Sequence, residues 1–438
     1  MGTGYVEAAR ELPLYKEVDV LVVGAGVSGV GAAVAAARQG VSAMMVDCAN
    51  AIGGMSTTGL MSHFAGYVRS ALYDEVLRRM AEKQDMCIRN SKAQRVTIDP
   101  EILKLSYLEM AEESGAETLL YTRACLPVLE NGKISGVIIE NKNGRQVVRA
   151  KVVIDATGDG DIAYSVGVPY RKGRDCDQSM QPATLMFKLG GVDTERAVYP
   201  GSFETLVPTK KGELQALAKK LLPFPAGHVL LYATTLPGIV TVNMTNAIGI
   251  DGTDAASMTQ AEFICRGQIS KIVSFLREYA PGYENCFVIS TGSMMGIRET
   301  RHFEGEYCLT EDDILNCRQF DDWIVRDACF NFDVHNLTGP SLDVTGMQKT
   351  FPENRFYQIP YRCCLPKETD NLLLTGRLIS GTHMAHSNYR AMPICLALGE
   401  GTGTAAAVAV MDRLSPREID VAKVQQILLR DPGSSNAK

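Results

Sequence analysis

Hydrophobic and polar positions along this chain fall into blocks whose lengths separate strands from helices. Residues 18–23, VDVLVV, form a nearly unbroken apolar run of strand length, and a glycine cluster follows at once. Such a run predicts a strand covered on both faces. Residues 30–39 are alanine-rich and predict a helix that Gly40 stops. Residues 41–46 predict the next strand, which ends at Asp47. Residues 51–67 are rich in glycine, serine and threonine and predict a loop. Helical spacing returns at 73–83 and 101–114. Residues 118–140 alternate and turn at Asn131-Gly132, which predicts a β-hairpin, and 149–155 predict a third strand.

From about residue 191 to 354 the signals are mixed. Helices are predicted at 214–222 and 260–279, and strands within 229–244. Apolar strands resume at 358–364 and 372–375. A long glycine- and alanine-rich helix is predicted at 393–414, and a frayed tail at 432–438. The order predicts an α/β fold: a Rossmann-like dinucleotide-binding domain with a parallel sheet, helices and a β-meander. Residues 1–190 and 355–438 build that domain, and an α+β substrate or cap domain is inserted at 191–354.

Composition narrows the function. The net charge of −6 disfavours nucleic acid as a partner, because phosphate binding needs clustered Lys and Arg. No stretch reads as a membrane span. The leader, with Glu7, Arg10, Glu11 and Lys16, lacks the basic-then-apolar order of a signal peptide, so a cytoplasmic location is expected. Twelve cysteines are scattered without a CxxC pair. They read as reduced, mostly buried thiols, and no metal site is expected.

The first strand–loop–helix–strand unit carries Gly24-Ala25-Gly26-Val27-Ser28-Gly29, a G-x-G-x-x-G fingerprint. Gly24 allows the tight turn, Gly26 lets backbone approach a pyrophosphate, and Gly29 lets helix and strand pack closely. The helix N-terminus faces the phosphates. Asp47, with Cys48 beside it, ends the second strand where a carboxylate accepts hydrogen bonds from a ribose. A lone glycine loop is a weak signal, but here every flanking element agrees. FAD and NAD both use such a unit.

Three later segments separate the two. Gly53-Gly54-Met55-Ser56-Thr57 resembles the GG motif of flavoproteins with two dinucleotide-binding domains. Val153-Ile154-Asp155-Ala156-Thr157-Gly158 resembles their ATG motif. Residues 371–377, ending in Gly376-Arg377, with 398–403 resemble their C-terminal flavin segment. Together they resemble the FAD-dependent oxidoreductase family related to fumarate reductase and succinate dehydrogenase flavoproteins. The resemblance implies non-covalent FAD as the cofactor. It implies that Gly53, Gly54, Met55 and Thr57 serve the diphosphate, and the Cys125 main chain the adenine. Thr157, Gly158, Gly376, Arg377, Gly399, Gly401 and Thr402 complete the site. Close helix packing is the other reading of 399–403. His63 follows the GG motif, where some relatives attach flavin covalently. No second G-x-G-x-x-G follows a strand, so a separate electron donor or acceptor is expected.

Flavin chemistry leaves proton handling and charge stabilisation to side chains. His383 and Arg390 lie in the segment 380–390, which resembles the family's loop over the flavin ring. His383 is the candidate acid/base and Arg390 the candidate anion binder, with His386 a weaker candidate. Arg298, in Gly296-Ile297-Arg298-Glu299-Thr300-Arg301-His302, is a second anion binder; ion pairing with nearby glutamates is the alternative. His228 and His335 carry no motif and read as structural. The expected function is hydride transfer to or from flavin N5 on a small polar substrate, by an enzyme that forms a homo-oligomer or acts alone. A flavin-binding protein without turnover, or one linked to RNA modification, is the alternative.

Overall fold

The computed structural model describes residues 4–5, 7–84, 89–90, 95–340, 351–352 and 355–430. The expected tail at 432–438 lies outside them. The apolar run near the N-terminus is strand β1 (Leu14–Val23), followed by helix α1 (Val27–Arg38) and strand β2 (Ala43–Val46). Helices α2 (Ala71–Gln84) and α3 (Pro100–Ser114) come next, then strand β3 (Glu117–Leu119). Strands β4 (Arg123–Glu130), β5 (Lys133–Asn141) and β6 (Gly144–Asp155) form the meander. The first turn of the meander is Asn131-Gly132, both with positive φ, which matches the twist of a tight hairpin.

The main sheet runs β3-β2-β1-β6-β5-β4, and Leu372–Leu374 pairs parallel with the end of β6. Strands β3, β2, β1 and β6 are parallel to one another; β4 and β5 are antiparallel. Register places the site. Val23 lies opposite both Val46 and Asp155, and Asp155 lies opposite Leu374. Four strands therefore end along one edge. Gly24, Asp47, Ala156-Thr157 and Thr375-Gly376 emerge there together, at the carboxyl edge where open α/β sheets bind ligands.

A second sheet is antiparallel throughout. It contains β7 (Phe187–Gly190), β8 (Leu231–Ala233), β9 (Val240–Val242) and β10 (Phe287–Thr291), in the order β8-β9-β7-β10. Helix α4 (Ala255–Tyr279) packs on it through Ile272, Phe275 and Leu276, forming a core separate from that of the main sheet. The main core takes in Phe303, Leu309, Ile314, Phe320 and Ile324 as well, inside the 191–354 stretch. The chain thus leaves the second sheet after β10 and returns to the nucleotide-binding body by Phe303.

The segment 380–390 folds as a short helix, α5 (His383–Tyr389), capped by the Thr382 hydroxyl, which accepts from the Ala385 N–H. The long helix α6 (Met392–Asp412) follows. Among the described residues it is the one helix long and apolar enough to cross a membrane, and 89% of its most apolar stretch is buried inside the protein. It lies against α1 through glycine. A Cβ on Gly399 would stand 2.0 Å from the Ser28 carbonyl oxygen, and one on Gly403 2.1 Å from that of Ala32. From the other side, a Cβ on Gly31 would stand 2.7 Å from the Leu396 carbonyl oxygen. The two helices touch backbone to backbone.

Glu400, between two of these glycines, is half-buried. Its carboxylate accepts from the Ser70 hydroxyl and the Leu72 N–H, and so ties α6 to the start of α2. Burial pushes its pKa up to about 7, against the lowering effect of those donors. A carboxyl with a raised folded pKa adds stability below its unfolded pKa and loses it as pH rises through the folded value.

Three outcomes are expected. Gly399→Ala and Gly403→Ala will each lower the denaturant midpoint by an amount equivalent to about 2–3 kcal/mol. Gly267→Ala, in α4 with open space around it, will be neutral or stabilising. Glu400→Gln will remove a fall in stability of about 3 kcal/mol between pH 4.5 and 7, read from denaturation at each pH.

Candidate active site

The glycine loop at the end of β1 is built as its spacing requires. Gly24 has φ +103°, and a Cβ there would stand 2.4 Å from the Ala156 carbonyl oxygen. A Cβ on Gly29 would stand 1.9 Å from the Gly24 oxygen. Both positions need glycine to pack loop, helix and sheet. Gly26 differs: nothing lies within 4 Å of its Cβ position. It is the N-cap of α1, and no side chain caps that helix. The first N–H groups of α1 are therefore left for an anion.

Asp47 braces this loop. One carboxylate oxygen accepts from the Ala25 N–H at 2.6 Å and the other from the Ala49 N–H at 2.7 Å. The Ala25 carbonyl in turn accepts from the Gly53 N–H at 2.7 Å, which pins the Gly53-Gly54 turn beside the fingerprint. Asp155 holds the third turn. It accepts from the Thr157 hydroxyl and from the N–H groups of Ile162 and Ala163.

These turns open on one cavity of about 880 Å³. Its walls include Gly24, Gly26, Val27, Ser28, Asp47, Cys48, Gly54, Met55, Cys125, Thr157, Gly158 and Arg377 from the expected nucleotide set. Arg298 and Arg390 line it as well, so the structure brings those two arginines to the same space as the glycine loop. Arg377 lies over Gly158 and pairs with Asp159 at 2.6 Å. Ala25, Gly29, Gly53, Thr57 and Gly376 sit behind the wall. Thr57 is buried, with its hydroxyl bonded to the Ile52 carbonyl. Gly399, Gly401 and Thr402 do not reach the cavity. Gly399 meets α1, Gly401 meets Ile324, and the Thr402 hydroxyl bonds the Leu398 carbonyl one turn back. The start of α6 does reach it, through Ala391, Met392 and Cys395.

One end of the cavity is polar. Arg298 is half-buried there and donates to the Pro182 carbonyl and the Thr184 hydroxyl. Among the described residues no carboxylate lies within ion-pair distance of it. Burial, and next the charge of Arg390, press its pKa down to about 10. Arg390 pairs with Asp333 at 2.9 Å. His335 stands 3.4 Å from the other Asp333 oxygen. Burial would raise the Asp333 carboxyl, but the charges of His335, Arg390 and Arg298 hold it well below the usual range. His335 is pressed down to about 4 by burial and next by Arg298, so its ring is neutral at pH 7.

Sequence pattern alone missed several lining residues. Asp333 and His335 lie on an irregular stretch with no motif. Tyr232 and Asn243 come from β8 and the residue after β9, and only the pairing of those strands brings them together. His63 lines the cavity with its ring against Tyr232 at 4.4 Å, and burial presses its pKa down to about 3.

His383 is not on the cavity wall. Its Nδ1 lies 2.6 Å from Glu299 Oε1, and His302 Nε2 lies 2.7 Å from the same oxygen. The other Glu299 oxygen accepts from the Gln181 N–H. Burial would raise the Glu299 carboxyl, but the two imidazoles hold it well below its ordinary value. His386 packs edge-on against His302. His228 bonds the Asn243 carbonyl.

A family model described as FAD dependent oxidoreductase matches residues 19–428. The chain belongs to the FAD-dependent oxidoreductase family. Within it, a digeranylgeranylglycerophospholipid reductase of Methanosphaerula palustris is 33% identical over 158 residues, 32% of this chain and 39% of that protein. A second such reductase, of Methanopyrus kandleri, is 28% identical, with 53% of its length matched. A thiamine thiazole synthase of Methanococcus vannielii is 30% identical over 207 residues, 43% of this chain and 74% of that protein. The chain therefore spans about half or less of the two reductases. The fold of this flavoenzyme is shared by a geranylgeranyl bacteriochlorophyll reductase-like protein from Thermoplasma acidophilum. The TM-score is 0.50 at 14% identity, over 94% of this chain and 83% of that one.

The geometry of this FAD-dependent oxidoreductase fits its cofactor. The open side of Gly26 and the uncapped start of α1 suit a diphosphate. The cavity continues from Arg123–Cys125 at one end to Arg298 and Arg390 at the other, within the usual size of a ligand site. Asp47→Ala removes both braces of the loop, and FAD affinity will fall about 10- to 100-fold, measured by flavin retention on gel filtration. Asp47→Asn keeps one acceptor oxygen and will lose less.

Proposed function

We propose that this flavoenzyme oxidises or reduces a small polar substrate that carries an anionic group, and that Arg298 holds that group. The observation that carries the reading is a half-buried guanidinium without a carboxylate partner among the described residues, in the same cavity as the glycine loop. A partly desolvated charge without a counter-charge is costly, and a substrate anion offsets that cost. Arg390 adds a second positive charge beside it, steadied by Asp333. The bound flavin supplies the hydride acceptor or donor.

The proton goes through His335 in this reading, in place of His383. His335 lines the cavity, whereas His383 is engaged with Glu299 behind it. His335 Nε2 faces Asp333 at 3.4 Å, and the neutral ring takes a proton from the substrate heteroatom or returns one. The Tyr232 phenol, pushed up by burial, stays protonated as a hydrogen-bond donor in the same space.

Several finer readings accompany this one. Motif order supports kinship with fumarate reductase flavoproteins. The antiparallel second sheet supplies no second dinucleotide unit among the described residues, which favours a separate electron donor or acceptor. A cytoplasmic location and non-covalent attachment of the FAD are part of the same reading.

The test is anaerobic bleaching of the flavin by small hydroxy- and amino-carboxylates, set against their neutral amides and esters. Carboxylates will bleach it. Arg298→Met will weaken their binding about 100-fold with FAD content unchanged. His335→Gln will slow flavin reduction by about 10² to 10⁴, and the wild-type rate will fall as pH drops through about 4. Equal bleaching by neutral analogues, or an unaltered Arg298→Met enzyme, overturns the reading.

A further inference from the structure

Behind the cavity wall lies a cluster that the redox site does not use. Glu299 and His302 come from the stretch after β10, and His383 and His386 from α5. Glu299, His302 and His386 are all buried, at 1%, 6% and 1% exposure. One donor atom from each lies within 4.8 Å of the other two. A single carboxylate oxygen of Glu299 is approached by His302 Nε2 at 2.7 Å and His383 Nδ1 at 2.6 Å.

Hydrogen bonding does not satisfy this cluster. His302 Nδ1 and His386 Nδ1 are both buried with no hydrogen-bond partner. Leaving such groups unpaired costs about 1–3 kcal/mol each. Histidine is seldom placed with two neighbouring histidines around one buried carboxylate for packing alone, since each ring brings polar atoms that need partners. The rings of His302 and His386 lie 4.6 Å apart, with 83° between their planes. Two imidazoles on one tetrahedral cation have centroids about 5 Å apart. The observed spacing is close to that value, and one donor atom of each ring already lies within 4.8 Å of a Glu299 oxygen.

We propose that Glu299, His302 and His386 bind one divalent transition-metal ion, of the zinc class. Imidazole and carboxylate donors select this class over magnesium or calcium. Three protein donors buried behind the cavity wall make a site that clamps the fold, its fourth position taken by water. The protons now shared between Glu299 and the imidazoles leave as the ion enters. His383, at 12% side-chain exposure, provides the way in. The ion clamps the segment around strand Arg301–Phe303 to α5, and α5 ends at Arg390. Glu299 also holds the Gln181 N–H, while the Gln181 side chain accepts from Arg390, so the same clamp steadies the anion-binding end of the cavity.

The test uses the whole flavoprotein, stripped with a chelator and titrated with zinc. One zinc per chain is expected to survive dialysis, to raise the melting temperature, and to show nitrogen and oxygen neighbours at about 2.0 Å with the outer-shell pattern of at least two imidazoles in X-ray absorption. His302→Gln and His386→Gln are expected to weaken zinc binding more than 100-fold while retaining FAD. Less than one zinc per chain, sulfur neighbours from the exposed Cys48, Cys176 or Cys308, or variants that bind zinc as the parent does would overturn the site. Should a variant not fold, the absorption spectrum of the wild-type protein decides alone.

Discussion

The backbone contact between α1 and α6 is the constraint on which the rest of this structure depends. Helix α1 begins at the glycine loop and α6 begins beside Arg390, so their crossing sets the distance between the nucleotide end and the polar end of the cavity. Glycines at 31, 399 and 403 allow that crossing, because any Cβ there would meet a carbonyl oxygen or the opposite backbone. Gly29 performs the matching task between α1 and the loop at Gly24. Glu400 then extends the contact to α2. The result is one rigid body, on whose strand ends the turns at 24, 47, 156 and 376 are held in register.

Electrostatics divides the site into two neighbouring networks. In the cavity, Asp333 joins Arg390 to His335, and Arg298 stands beside them without its own carboxylate. Behind the wall, Glu299 gathers the imidazoles of His302 and His383. Gln181 connects the two: its backbone N–H serves Glu299, and its side-chain oxygen accepts from Arg390. Low dielectric strengthens each of these contacts and makes each unpaired group costly, so the geometry of one network constrains the other.

The nucleotide end was legible in the sequence because its chemistry is local. Gly24, Gly26 and Gly29 act within six residues, and Asp47 closes the same βαβ unit. The meaning of Gly399 and Gly401 was not legible from spacing. A glycine that admits a cofactor and a glycine that admits another helix leave the same trace, and only the position of Ser28, Ala32 and Ile324 separates them. The same limit applied to histidine. His383 sits in a segment with a suggestive pattern yet turns toward Glu299, while His335 has no pattern and faces the cavity.

The sequence by itself determined the main elements of the nucleotide-binding body, the turn at Asn131-Gly132 and the dinucleotide fingerprint. Each of these follows from interactions between near neighbours: alternation, helical spacing, turn preference and the steric needs of glycine. Two stretches fold otherwise: Thr118 and Leu119, read as part of the hairpin, belong to β3 and pair parallel with β2, and 361–364, read as strand, is a 3-10 turn. Only the tertiary structure decided which arginine is left unpaired, which imidazole reaches the cavity, and that Glu299, His302, His383 and His386 meet. Those contacts join residues some 80 to 200 positions apart in the chain, through Gln181 with Arg390 and Glu299 with His383. Charge and hydrogen bonding act through space, and local periodicity carries no record of which distant partner a side chain will meet once the core has closed.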